Sequence, residues 1–238
     1  MNEHTVKRFD AELTELKALV LQMGGLVHEQ IDWAMRAIVS EDLELCRDVI
    51  ARDHVVNFMD VQADERIVNL LALRQPMGSD LRTITSLGKA VTDLERIGDE
   101  AERIARMGLQ MFGGSSLGVP GPKLLRDASS MAKLAKSMLT DALDAFARLD
   151  VDLALSVAKQ DNDLDAEFQS ALRRLATYTM EDPRNVGHVI NATFIVKSLE
   201  RIGDHAKNIA EYVIYLIKGK DVRHVSTETL TEQVLDDD

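Results

Sequence analysis

A single cysteine, Cys46, leaves the chain no partner for an intrachain disulfide and fits a reducing compartment. Prolines number four and aromatic residues make up 4% of 238 residues, too few turn and strand formers for a β-sandwich or barrel. Long hydrophobic runs are missing as well. The longest purely apolar and aromatic stretch, Tyr212 to Ile217, falls far short of the ~20 residues that span a bilayer. Glu3, Lys7, Arg8, Asp10, Glu12 and Glu15 leave no room for the apolar segment of a secretory leader. The expected location is therefore cytoplasmic, with any membrane association peripheral. Positive charge is scarce: 28 Lys and Arg face 40 Asp and Glu, a net charge of −12. Such a surface repels phosphate backbones and excludes nucleic acid as a natural partner. It suits cations or basic partner surfaces.

What is abundant is helix-forming material, 45% hydrophobic and 29% charged. Phe9, Leu13, Leu16, Val20, Met23, Val27, Ile31, Ala34 and Ile38 follow spacings of three and four, one apolar stripe along a long helix. Gly24-Gly25 lies within it and allows a bend or a close helix approach. A turn at Ser40-Glu41-Asp42 starts a second helix running to about Leu73. The break Gln75-Pro76-Met77-Gly78-Ser79-Asp80 precedes a third that runs to about Met111, with Ser79 or Asp80 as N-cap. The Gly-rich stretch 113–121 reads as a linker between halves. Helices over 122–148, 151–180 and 185–218 then repeat the plan, and the polar residues 219–238 are expected to fray.

The repeat is explicit in the residues. Leu94-Glu95-Arg96-Ile97-Gly98-Asp99 recurs as Leu199-Glu200-Arg201-Ile202-Gly203-Asp204, a shift of 105. Earlier in each half the shift is 108: Ala34, Asp42, Leu45, Val49, Asp53 and Asn57 match Ala142, Asp150, Leu153, Val157, Asp161 and Asp165. An identical hexapeptide twice in one chain indicates duplication, with a period too long for a solenoid. The expected fold is all-α, two tandem three-helix bundles over 1–112 and 122–218 related by a pseudo-twofold.

Four segments share a valine, then two polar residues at steps of four: Val49-Asp53-Asn57, Val91-Glu95-Asp99, Val157-Asp161-Asp165 and Val196-Glu200-Asp204. Residues four apart share one helix face, and the valine places the acids at the edge of the apolar stripe. Like charges at this spacing repel, and partial burial raises the cost. A bound cation removes it. Converging pairs from the second and third helices of each half would offer oxygen ligands for Mg, Mn, Ca, Fe or Zn. Solvated surface acids are the competing explanation for any one pair. Gly98 and Gly203 suggest close helix contact beside the acids. Arg96 and Arg201 point outward, toward acids, a partner or solvent. His205 has Glu100 as its counterpart in the first half and fits helix pairing better than metal ligation.

The two Leu-Glu-Arg-Ile-Gly-Asp segments resemble the PhoU family. So do Arg74-Gln75-Pro76, Asp80-Leu81-Arg82, Met180-Glu181-Asp182-Pro183-Arg184 and the run from Ala206 to Tyr215. The resemblance implies two three-helix bundles that bind metal through Glu/Asp-x-x-x-Asp motifs. It implies negative regulation of the bacterial phosphate-starvation response, by linking a phosphate ABC transporter to a membrane sensor histidine kinase. Carried over, the metal residues are Glu95 and Asp99, Glu200 and Asp204, Asp161 and Asp165, and Asp53 with Asn57 in place of the second acid. That change removes one charge, so the first site is expected to hold fewer or weaker metals. Fe, Zn, Mg or Mn are the candidate ions, and a homodimer is the expected assembly. No catalytic residue is assigned. A di-metal carboxylate enzyme would need Glu-x-x-His pairs, which the chain lacks. A metal-free helical adaptor is the remaining alternative.

Overall fold

The computed structural model describes residues 2–113 and 121–222, with side chains from 7 and from 123 onward in the two stretches. Three long helices form the first half: α1 (Asn2–Val39), α2 (Leu43–Arg74) and α3 (Ser79–Phe112). A short turn of helix, α4 (Gly121–Leu124), leads to α5 (Arg126–Arg148), α6 (Val151–Glu181) and α7 (Val186–Lys218). A 3-10 turn over Pro183–Asn185 joins the last two. The all-α, duplicated architecture expected from the sequence is what the chain adopts. Helix α5 starts at Arg126 rather than near 122, because the chain breaks at Leu125. Most of the linker (114–120) and residues 223–238 of the tail expected to fray lie outside the described residues; within that tail, Val222 is instead buried against the core at 2% exposure. No helix among the described residues is long and apolar enough to cross a membrane.

Duplication extends to the turns. Asp42 Oδ1 accepts from the Leu45 N–H at 3.0 Å, and Asp150 Oδ1 accepts from Leu153 N–H at 3.0 Å, so the same N-cap opens α2 and α6. Ahead of each, the N–H of Asp42 reaches Ala37 O and that of Asp150 reaches Ala145 O, closing α1 and α5 alike. Both closures put a non-glycine residue in the left-handed region, Glu41 at φ 55° and Leu149 at φ 56°. The strain of about 1 kcal/mol is accepted twice, which marks one inherited turn.

The α1 stripe is core: Leu16, Val20, Met23, Val27, Ile31, Ala34 and Ile38 are fully buried. Each large side chain so buried contributes about 1.5–3 kcal/mol from water exclusion. A Cβ on Gly24 would stand 2.6 Å from Leu143 Cδ1, so this glycine serves a close α1–α5 approach; the helix runs through it unbroken.

The halves join mainly through α3 and α7, and secondarily through α1 and α5. Across α3–α7, His205 Nδ1 bonds Asp93 Oδ1 at 2.7 Å, while Ser198 Oγ donates to Glu100 Oε2 at 2.7 Å. A step of 105 turns one pair into the other, as a pseudo-twofold between antiparallel helices requires. Asn208 Nδ2 and the Tyr212 hydroxyl also donate to Asp93, and Arg201 pairs with Glu100 at 2.9 Å. His205 thus pairs helices, and Arg201 reaches across to the other half.

Candidate metal centres

In the first half α2 carries Asp53 and Asn57, and α3 carries Glu95 and Asp99. Asp53 is 6% exposed, Glu95 and Asp99 are half-buried, and Asn57 is exposed. Burial, and next the Asp99 charge, raises the Glu95 pKa; Asp60 and Asp53 add to it. Burial, and next Asp53, raises that of Asp99. Carboxylates from two helices therefore press on one another across the seam, and protonation or a cation relieves them. Arg96 offsets this weakly, at 3.4 Å from both Glu95 and Asp99.

Among the described residues the side chains that hydrogen-bond the inner acid of this group are both amides. Gln30 Nε2 on α1 donates to Asp53 Oδ1 at 3.2 Å, and Asn57 Nδ2 donates to Asp53 Oδ2 at 2.8 Å. Gln30 is itself 3% exposed, and its Oε1 is buried without a partner. A Cβ on Gly98 would stand 3.4 Å from both Asp53 Oδ1 and Gln30 Oε1, so the glycine keeps space open between them. A buried carboxylate beside an orphaned carbonyl oxygen is a donor set for a hard, oxygen-preferring cation.

The second half places Asp161 and Asp165 on α6 and Glu200 and Asp204 on α7. Asp161 is 5% exposed, like Asp53, but the Lys207 ammonium bonds its Oδ2 at 2.6 Å. Burial works against the Lys207 charge, yet Asp161 outweighs it and the lysine pKa rises. Lys197 holds Glu200 in the same manner. Asp204 keeps an open side to solvent, but the surrounding protein mass, and next Glu200, push its pKa up to about 6. Asp165 is raised by partial burial and by Asp161. Gly203 is tightly covered by Leu164, whereas a Cβ on Gly98 would meet Val56 Cγ1 at 3.2 Å as well as the two oxygens at 3.4 Å.

All eight residues singled out in the sequence therefore gather as two groups of four, one per half. Among the described residues, no three His, Cys, Asp or Glu side chains already stand close enough to hold an ion. To hold an ion, side chains in the first half would have to rotate, and in the second Lys207 would have to leave Asp161. The substitution of Asn57 lowers the charge of the first group, as expected from sequence, but the lysines neutralise the second more directly. Gln30, Asp60, Lys197 and Lys207 were not identified from sequence. Gln30 carried a signal, since it is a polar residue beside Val27 and Ile31 in the apolar stripe; Asp60 stands one turn beyond Asn57. The lysines carried none.

Residues 20–107 and 128–213 each match the family model described as the PhoU domain. A "phosphate-specific transport system accessory protein PhoU homolog" of Pseudomonas putida is 45% identical over 98% of this chain and 90% of its own length. The Escherichia coli (strain K12) accessory protein PhoU is 40% identical over 97% of this chain and 93% of its own. The crystal structure of PhoU from Pseudomonas aeruginosa superposes with a TM-score of 0.84 at 46% identity, covering 89% of this chain and 100% of that one. A phosphate transport system regulatory protein PhoU from Streptococcus pneumoniae gives 0.81 at 32% identity, over 90% and 99%. With both halves matched in sequence and the whole fold matched in space, this chain belongs to the PhoU family.

Proposed function

We propose that this chain is a cation-dependent accessory and regulatory protein of bacterial phosphate uptake. It acts as a negative regulator of the phosphate-starvation response and couples a phosphate ABC transporter to a membrane sensor histidine kinase. The observation that carries the cation dependence is Asp53. It is a buried carboxylate whose hydrogen-bond partners among the described residues are the amides of Gln30 and Asn57, with neighbouring acids whose pKa values are raised. The accessory role rests on relatives named for it that align along nearly the whole chain.

In this reading Asp53, Glu95 and Asp99, with the Gln30 carbonyl, hold one ion of the Mg, Mn, Fe or Zn class, and Asp161, Asp165, Glu200 and Asp204 hold another once Lys207 withdraws. The ion neutralises repelling carboxylates and locks the α2–α3 seam, so its occupancy sets the shape of the surface offered to partners. The chain's own residues perform no bond-making step. It works in the cytoplasm, as a homodimer, against basic faces of the membrane complex, to which a net charge of −12 is complementary.

Two measurements test this. Elemental analysis of the purified chain should find bound metal that a chelator removes, with a fall in Tm. In cells, Glu95→Ala with Asp99→Ala should derepress a phosphate-starvation reporter while the protein keeps its helicity. Normal repression by a metal-free variant would separate metal from regulation.

A further inference from the structure

The α1–α5 seam carries a second duplicated feature. At the end near the α1–α2 turn lies an open cleft of about 530 Å³, floored by Met35, Val39, Leu45 and Ala132. At the other end lies a cleft of about 420 Å³ lined by Gly25, His28 and Asp144 among others. A step of 108 relates them: Arg36 corresponds to Asp144, Lys133 to Gly25 and Lys136 to His28. Duplication thus built one pocket twice, and the first copy alone carries three cations.

Two of those cations stand without a counter-ion. Asp32 is taken by Lys136. Asp42 turns its carboxylate to the α2 N-terminus, where it caps Leu45. Arg36 from α1 and Lys133 from α5 are left on either side of the apolar floor, and neither has an ionic partner among the described residues. In a chain with 40 acids to 28 bases, two unpaired cations converging on one cleft are the reverse of the prevailing charge. Both line the cleft, so an anion bound in it meets positive charge from α1 and from α5. The volume lies in the range of small-molecule sites, and the floor has apolar area for a ligand to cover.

We propose that this cleft binds a small amphipathic anion. A phosphate or carboxylate head lies between Arg36 and Lys133, and an apolar body rests on Met35, Val39 and Ala132. The site lies on the α1–α5 seam and shares none of the residues of the carboxylate groups.

The test uses the full-length chain and 8-anilinonaphthalene-1-sulfonate, an anionic head on an apolar body, read by fluorescence titration with circular dichroism to certify the fold. The wild type should bind one equivalent saturably. Arg36→Glu with Lys133→Glu should weaken binding at least tenfold, and Ala132→Phe, which fills the floor, should do the same without touching the charge. His28→Glu in the counterpart cleft should leave binding unchanged. Displacement by adenosine monophosphate identifies a phosphate head, and displacement by octanoate a carboxylate head. No saturable binding, equal binding by the charge-reversed chain, or displacement by inorganic phosphate as effective as by the larger anions would overturn the proposal.

Discussion

Asp53 and Asp161 occupy the same place in the two halves, 6% and 5% exposed, and meet different neighbours. Around Asp53 the contacts are the neutral amides of Gln30 and Asn57. Around Asp161 the contact is the ammonium of Lys207. At the position of Lys207 the first half has Glu102, and at that of Lys197 it has Thr92. Asp60 corresponds to Phe168, which in the second half lies under Lys197. In one half a lysine stem brings a cation onto the buried acid; in the other the buried acid bonds only amides among the described residues, and Arg96 touches just the outer pair. A tethered ammonium costs no translational entropy but supplies a single charge, whereas a divalent ion can gather several oxygens at once. The two halves share the places where acids gather and differ in the residues that neutralise them.

The largest expected effect separates the halves directly. Asp53→Asn with Asp99→Asn should weaken the tightest Mn²⁺ binding by about 100-fold, roughly the scale set by removing two charged ligands (about 2.7 kcal/mol). Glu200→Gln with Asp204→Asn should leave that binding within about threefold, a difference of under 1 kcal/mol. Equilibrium dialysis measures both, and equal losses would erase the distinction drawn above.

Next in size is Lys207→Met. Without metal it strands Asp161 and should cost about 2 kcal/mol, below the full penalty of a deeply buried pair because Lys207 is 28% exposed. With excess Mn²⁺ the loss should be recovered, and the chain should take up a second tight ion. Chemical denaturation with and without Mn²⁺ reads the first effect, and dialysis stoichiometry the second. A destabilised chain that gains no ion would mean the second half has lost the ability to bind one.

The smallest effect is on pH. Asp204, with a pKa near 6, and Asp165, Glu95 and Asp99, all raised, bind protons more readily folded than unfolded. For these groups the metal-free chain should lose stability as pH rises from the usual carboxylate range through about 6. That sign is opposite to that of a salt-bridged carboxylate. Thermal melts in chelator across this window should show a falling Tm, and saturating Mn²⁺ should flatten it. A Tm rising through the window would show the acids to be well compensated without any ion.

Much of this was legible beforehand. Helices expected over 151–180 and 185–218 form over Val151–Glu181 and Val186–Lys218, because the 3.6-residue period, the Asp150 cap and Pro183 act locally. The doubled hexapeptide located both carboxylate pairs of α3 and α7 on buried-edge faces. The neutralisation of Asp161 was not legible. Lys207 lies 46 residues away on another helix, and its flexible stem settles on an acid only once α6 and α7 are side by side. Nor was the burial of Asp93, whose partners His205, Asn208 and Tyr212 all come from the opposite half.

The sequence by itself determined the helices and the duplication, since these follow from patterns spanning one or two turns; the cap expected at Ser79 or Asp80 falls instead on Gly78, with no side-chain bond to the helix end. Tertiary structure decided which acids keep a protein cation and which face only amides. That outcome depends on distances of a few ångströms between helices, where Coulomb energy and desolvation change steeply and no pattern along one helix records them.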